Sequence, residues 1–339
     1  MKKKIGFLLP YSGEFPALKR ALLDPLKAYA IGGEIDIVTE FINNGQPAKV
    51  AGAIEKLFYS DEVDLIIGYV GYRVIVELFD KLREYPDKFL IHLTLGEVIP
   101  YTQSRINYPP NYCMISYDAW KSGASLGKWI AENLPAKNCM ICSSHYDSGY
   151  SFQESFRIGY HSHSEKSLQV CLLKNPSQSV DTTRLFQEIN RAKPEHIHVI
   201  LCGRELDDFI KRFDQMVDYL PTVSFAFPVS VNSFTTLHRS LQKTYSSLPD
   251  KVKFNNLEDL ADDAFLAIFR YVISRAIFLL DNAPDIQEPE SLSIIEMDFN
   301  NHRISKTGFS ETLPAELNPA FNYSAENSVA IWQNPYLCI

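Results

Sequence analysis

Up to Phe227 the chain alternates short apolar runs with longer stretches in which apolar residues recur every three to four positions. The short runs are continuous rather than alternating, as in Ile5-Gly-Phe-Leu-Leu9, which is the pattern of strands buried on both faces of a parallel sheet. Strands are expected over Ile5–Pro10, Glu34–Phe41, Asp64–Val70, Phe89–Thr94, Cys113–Tyr117, Asn138–Ser143, Leu168–Leu173, His196–Cys202 and Thr222–Phe227. Between them the spacing predicts helices over Glu14–Tyr29, Pro47–Tyr59, Val74–Glu84, Ala119–Asn133, Ser151–His161, Thr182–Ala192 and Leu206–Val217, with Pro25 kinking the first. Such alternation is that of an α/β protein.

The rhythm breaks twice. From Glu97 to Tyr112 the chain is irregular and carries Pro100, Pro109 and Pro110, the mark of a long surface connection beside a functional site. After Phe227 two helices are expected in succession, over Ser233–Tyr245 and Leu257–Leu280. A strand over Ser293–Phe299, a turn at Asn300-Asn301 and a last strand over Val329–Gln333 follow. This return implies discontinuous lobes, residues 1–117 with 236–315 and residues 118–235 with 316–339.

Composition narrows the function classes. A chain of 339 residues exceeds what one core usually organises, so two domains are expected. Its 46% hydrophobic and 22% charged residues are those of a folded soluble chain, and the net charge of −8 with scattered Lys and Arg gives no footprint for nucleic acid. The most apolar stretch, Ala264–Leu280, is interrupted by Arg270 and Arg275 and reads as a buried-face helix, so no membrane insertion is expected. The apolar run after Met1-Lys-Lys-Lys4 ends at Pro10, too short for a secretory signal. A cytoplasmic location is expected for the sequence as it stands, and a periplasmic one if an export signal was removed.

The pair Cys139 and Cys142 forms the only CxxC, but inside a strand, where residues three apart point to opposite faces. Buried free thiols are expected rather than a redox motif. His161 and His163 lack accompanying ligands at metal spacing, so no metal site is expected. No GxSxG, HExxH or phosphate loop occurs, and the chain is read as a binding protein without cofactor rather than an enzyme.

In open parallel sheets a ligand sits beyond the carboxyl ends of the strands. Those positions hold Tyr11 and Ser12, Tyr72 and Arg73, Thr94, Gly96 and Glu97 in the first half. Tyr150, Arg204 and Phe227 occupy them in the second, and Asp263 opens a later helix. Arg73 and Arg204 can share an anionic ligand or pair locally at helix starts. Glu97 and Asp263 can hold an amine or stand as an exposed loop acid and a first-turn helix acid. The tyrosines suit pocket walls with a polar tip.

Several of these segments, in their order, carry a resemblance. Ile5-Gly-Phe-Leu-Leu-Pro-Tyr-Ser-Gly13, Asp64-Leu-Ile-Ile-Gly68, Tyr146-Asp-Ser-Gly-Tyr150, Val199-Ile-Leu-Cys-Gly203, Ala261-Asp-Asp-Ala-Phe265 and Met297-Asp-Phe-Asn-Asn-His302 are together similar to the type I periplasmic binding proteins of the branched-chain amino-acid receptor group. The resemblance implies two Rossmann-like lobes with parallel sheets, joined by a hinge of three crossings and closing over a solute. It also implies a ligand's carboxylate and ammonium held at the positions of Tyr72, Thr94 and Gly96. Tyr72 replaces a small hydroxyl residue, Leu18 an aromatic and Arg204 a second-lobe tyrosine, whereas Tyr150 matches; these departures point away from a simple branched-chain amino acid. Two uses stay open: the substrate-binding component of an ABC importer, with a permease as partner, or a cytoplasmic ligand sensor regulating a partner protein.

Overall fold

The computed structural model describes residues 3–11, 17–32, 35–96, 107–117, 119–134, 136, 138–144, 149–173, 180–226, 241, 243–249, 264–281, 292–298, 301 and 303–310. In chain order the strands are β1 (Lys3–Leu9), β2 (Ile35–Phe41), β3 (Leu65–Tyr69), β4 (Phe89–Thr94), β5 (Tyr112–Ser116), β6 (Asn138–Ser144), β7 (Ser167–Leu173), β8 (His196–Ile200), β9 (Thr222–Phe225), β10 (Lys243–Pro249), β11 (Leu292–Asp298) and β12 (Arg303–Ser310). The helices are α1 (Leu18–Gly32), α2 (Pro47–Glu55), α3 (Tyr72–Glu77), α4 (Phe79–Arg83), α5 (Ala119–Asn133), α6 (Gly149–His161), α7 (Thr183–Ala192), α8 (Gly203–Met216) and α9 (Ala264–Asp281). A π-helical turn at Lys56–Ser60 extends α2.

Two compact units result. Among the described residues the first holds everything up to Tyr117 together with α9 from Leu266 onward; the second holds Ala119–Pro249 and Leu292–Ser310. The first is a sheet of order β2-β1-β3-β4-β5 with every pair parallel. Both faces of its central strands are covered, which is why β1, β3 and β4 are mostly apolar, whereas the edge strand β2 carries Asp36, Thr39 and Glu40. On one face Leu8, Ile66 and Leu90 join Val50, Ile54, Leu57, Ile75, Phe79 and Leu82 in a single core. On the other Tyr69 meets Phe269 of α9 edge-on, ring centroids 5.0 Å apart. Ile268, Phe269, Val272 and Ile273 of α9 are fully buried. Each contributes about 1.5–3 kcal/mol relative to exposure.

The second unit is a seven-stranded sheet of order β12-β11-β10-β9-β8-β6-β7, parallel from β7 to β10 and antiparallel from β10 to β12. Here the sequence expectation is corrected. Residues 236–315 are expected in the first lobe and Ser233–Tyr245 in a helix; α9 from Leu266 does belong to the first unit, whereas Lys243–Tyr245 belong to β10, which pairs with β9 through Thr244 opposite Val223 and Tyr245 opposite Ser224, and the rest of the expected helix, Leu241 apart, lies outside the described residues. Lys243-Thr-Tyr-Ser-Ser-Leu-Pro249 is poor in helix formers and rich in β-branched, aromatic and hydroxyl residues, and β9 offers it a strand to pair with. The antiparallel β11 and β12 then extend the same sheet, β12 being a strand the apolar pattern did not reveal. The expected strand Val329–Gln333 lies outside the described residues.

One face of this sheet packs α7 and α8, where Phe186, Phe209 and Phe213 lie within 6.2 Å of one another by ring centroid. The other packs α5 and α6, which approach unusually closely. A Cβ on Gly159 would lie 1.8 Å from the carbonyl oxygen of Ala124, and one on Gly127 2.3 Å from that of Phe156. Behind α6 the sheet face is polar. Thr222 Oγ1 donates to the Glu195 carbonyl at 3.2 Å, so His196 Nδ1–H donates to Thr222 at 2.7 Å. The bare His196 Nε2 accepts from Ser224 at 2.9 Å, and the Ser224 oxygen accepts from His198 Nδ1–H at 2.9 Å. His198 Nε2 is therefore a bare acceptor, buried and without a hydrogen-bond partner among the described residues, and its ring stacks on Phe156 at 3.9 Å.

Cys139 and Cys142 lie on β6 as free thiols, Cys142 in the core with α7 and α8 and Cys139 on the opposite face beside His196. Burial pushes both thiols up, so neither is a nucleophile at neutral pH.

Candidate functional site

In the first unit the loop after β1 places Tyr11 in solvent, 65% exposed, its backbone N–H donating to the Asn43 carbonyl at 2.7 Å. The loop after β4 is buried. Thr94 Oγ1 accepts from the Gly96 N–H at 3.2 Å, Gly96 takes the left-handed conformation at φ 70°, and the Tyr117 N–H closes onto the Thr94 carbonyl at 3.2 Å. Among the described residues the Thr94 hydroxyl oxygen serves as the acceptor of this turn.

After β3 the chain leaves the sheet through Val70 and Gly71 and enters α3 at Tyr72. Tyr72 is buried, and its hydroxyl lies 2.9 Å from that of Tyr108. Burial, then the Tyr108 bond, pushes Tyr72 well above an ordinary phenol, so it stays neutral. Tyr108 stacks on Tyr112 at 5.7 Å and 13°, and Phe79 packs on both at 5.4 and 4.9 Å. Tyr72, read from the sequence as a ligand contact, is thus drawn by its hydroxyl into an aromatic cluster. Beneath it His92, fully buried in the middle of β4, bonds Tyr112 through Nδ1 at 2.6 Å and the Val70 carbonyl through Nε2 at 2.8 Å. Burial holds this imidazole down to about 4, against the pull of the Val70 carbonyl.

In the second unit Ser144 closes β6, buried, and donates to Glu205 at 3.0 Å in the first turn of α8. The helix begins at Gly203, earlier than its apolar repeat indicated, so Arg204 stands on the helix, exposed, instead of in a loop. Gly203 itself has φ 52°, which admits the tight entry from Cys202. Tyr150 is the second residue of α6 and Arg73 the second of α3; their side chains lie outside the described residues. Ser12, Glu97, Phe227 and Asp263 lie outside them altogether.

Sequence reasoning missed His92, Tyr108, Tyr112 and Ser144. The signal for His92 was there: a single polar residue inside the apolar run Phe89-Leu-Ile-His-Leu-Thr94 needs partners when both faces of its strand are buried. Glu205 follows the strand His196–Cys202 in the sequence, a strand-end position beside Arg204, but nothing in its spacing told that it would meet Ser144. Among the described residues no group of His, Cys, Asp and Glu is arranged to hold a metal ion, and no helix is long and apolar enough to cross a membrane.

Compared by sequence, the chain matches no family model and no curated protein. Compared by structure, it is similar over almost its whole length to the solute-binding protein of an ABC transporter from R. palustris in complex with benzoate, with a TM-score of 0.68 at 16% identity over 93% of this chain and 99% of that one. The fold is that of the type I periplasmic binding proteins. A periplasmic binding protein from Burkholderia mallei superposes with a TM-score of 0.67 at 13% identity, over 98% of this chain and 99% of that one. A leucine binding protein from Thermotoga maritima does so with 0.63 at 12% identity, over 91% and 98%. The type I periplasmic binding-protein fold thus extends across both units.

Proposed function

We propose that this protein is a solute-binding protein of the kind that serves an ABC importer, taking a small organic acid or amino-acid-like solute at the strand-end loops of its two units, without chemistry on it. The observation that carries this reading is the end-to-end likeness, 93% of this chain against 99% of a benzoate-binding relative of the same fold. The loops support it: in the first unit Thr94 brings a hydroxyl to the end of β4, and in the second Arg204 is an exposed cation suited to a carboxylate. Tyr11, Ser12, Arg73, Gly96, Glu97, Tyr150, Phe227 and Asp263 complete the proposed set, and Tyr72 acts behind it through its aromatic contacts. In this reading the partner is an ABC permease and the working compartment is the periplasm.

The test is a thermal-shift screen with aromatic carboxylates and branched-chain amino acids. A solute present at a hundred times its Kd stabilises the folded state by about 2.7 kcal/mol and raises Tm by several degrees. Thr94→Val abolishes the shift while keeping the volume of the side chain. If no anionic or zwitterionic solute raises Tm, or a bound solute is turned over, the reading fails. Fractionation of native cells that finds the protein in the cytosol would favour a ligand sensor over an importer component.

A further inference from the structure

We propose that His92 is the positioning residue of the loop that follows β3, fixing through one oriented hydrogen-bond chain the point at which the backbone leaves the sheet toward the solute; this rests on the function proposed above. The β3 ladder ends at Tyr69, which pairs with Leu93. Val70, the next residue, is buried, and its carbonyl is beyond the ladder on that side. A buried carbonyl requires a donor. His92, on the neighbouring strand and two residues short of Thr94, supplies it from Nε2 at 2.8 Å.

The direction of the chain is determined by chemistry. A carbonyl only accepts, so Nε2 carries the imidazole proton and Nδ1 is bare. The bare Nδ1 then accepts from the Tyr112 hydroxyl at 2.6 Å. Tyr112 is itself held between Phe79 and Tyr108, and Tyr108 bonds the hydroxyl of Tyr72. The loop Val70-Gly71-Tyr72 is therefore pinned at both ends, at its carbonyl by His92 and at its last side chain by Tyr108, and both pins meet at Tyr112. Gly71, between them, accepts the first turn of α3 from the Ile75 N–H at 3.1 Å.

The experiment compares hydrogen–deuterium exchange of the full-length protein, without solute, in peptides covering Val70–Ile75. The variants are His92→Leu, His92→Gln and, as a control of similar thermal destabilisation in the same core, Leu82→Ala. His92→Leu is expected to accelerate exchange in Val70–Ile75 at least tenfold beyond the Leu82→Ala control, with β2 peptides unchanged. His92→Gln, whose amide can donate to Val70 and accept from Tyr112, returns it to within about threefold of the parent. Equal exchange in the His92→Leu and Leu82→Ala proteins, or no recovery with Gln, overturns the proposal. Should His92→Leu fail to fold, the parent protein decides: long-range 1H–15N spectra must show His92 as the neutral Nε2–H tautomer at pH 7, and an Nδ1–H tautomer refutes the chain. With benzoate as probe, a bound parent should lose at least fivefold affinity in His92→Leu relative to Leu82→Ala. Exchange is read without solute, so absence of benzoate binding counts against the proposed ligand class and leaves the decision on His92 to the exchange.

Discussion

Acidification from pH 7 to pH 5 should weaken the second unit through two side chains, His196 and His198. Both are fully buried and joined by Ser224, and burial holds His196 at about 3 and His198 well below its ordinary range, with His196 adding repulsion to the latter. In the unfolded chain each returns to about 6.5. The folded values are depressed, so the folded unit binds fewer protons than the unfolded one. Stability is full above about pH 6.5 and is lost as pH falls toward the folded values. Between pH 7 and pH 5 the unfolded form takes up most of one proton per histidine, which removes about 2 kcal/mol each and about 4 kcal/mol together. Carboxylates titrate mainly below this window, so they contribute little to the slope. Trp120 and Trp129 lie on α5, directly over this sheet, and make intrinsic fluorescence a reporter for the second unit. With a urea m-value of about 2–3 kcal/mol per M, the unfolding midpoint should fall by about 1.3–2 M. His198→Phe, placing a ring of similar shape beside Phe156, should halve that fall whatever it does to stability at pH 7. A midpoint that is the same at both pH values, or a His198→Phe protein with the parent's full pH slope, would show that these imidazoles are not buried and neutral.

Other consequences follow from contacts that leave no room or no substitute. Gly159→Ala places a Cβ against the Ala124 backbone, which no rotamer relieves, and should cost about 1–3 kcal/mol or more by thermal denaturation, whereas Gly52→Ala, with open space around it, should be neutral or stabilising. Asn111, buried, donates to the carbonyls of Leu82, Tyr85 and Lys88 at 2.9 to 3.0 Å. Asn111→Ala should destabilise the first unit by about 2–3 kcal/mol in urea titration, and Asn111→Asp by more, because an acceptor would then face acceptors. Cys139 and Cys142 should resist iodoacetamide in the native protein at pH 8 and react only as fast as the unit opens, which mass spectrometry of alkylated peptides would show.

Much of the fold was legible because burial on both faces leaves a periodic trace. The strand Phe89–Thr94 and the helix Ala119–Asn133 have the bounds their apolar pattern predicts, since each is decided by local spacing and packs one continuous stripe or sheet face. Pro25 stands inside α1, which continues through it to Gly32. Where the pattern failed, tertiary pairing overrode it. Lys243–Pro249 carries no decisive period, and only the hydrogen-bonding edge of β9 makes it a strand. The contacts of the candidate residues were not legible. Strand ends are where the sequence places the candidate residues, but no spacing told that the Tyr72 hydroxyl would turn to Tyr108, or that Arg204 would stand on a helix.

The sequence by itself thus determined the alternation of buried strands and amphipathic helices, the burial of both thiols of the CxxC, and the small and hydroxyl residues at the strand ends. These depend on the character of neighbours a few positions apart, which the chain carries locally. Only the tertiary structure decided that Lys243–Pro249 joins the second sheet, that His196 and His198 share one serine, and that His92 reaches the Val70 carbonyl. Each of these joins residues more than twenty positions apart, and which of many polar groups meets which is decided by where the sheets put them, because a buried donor or acceptor takes the partner that packing brings within reach.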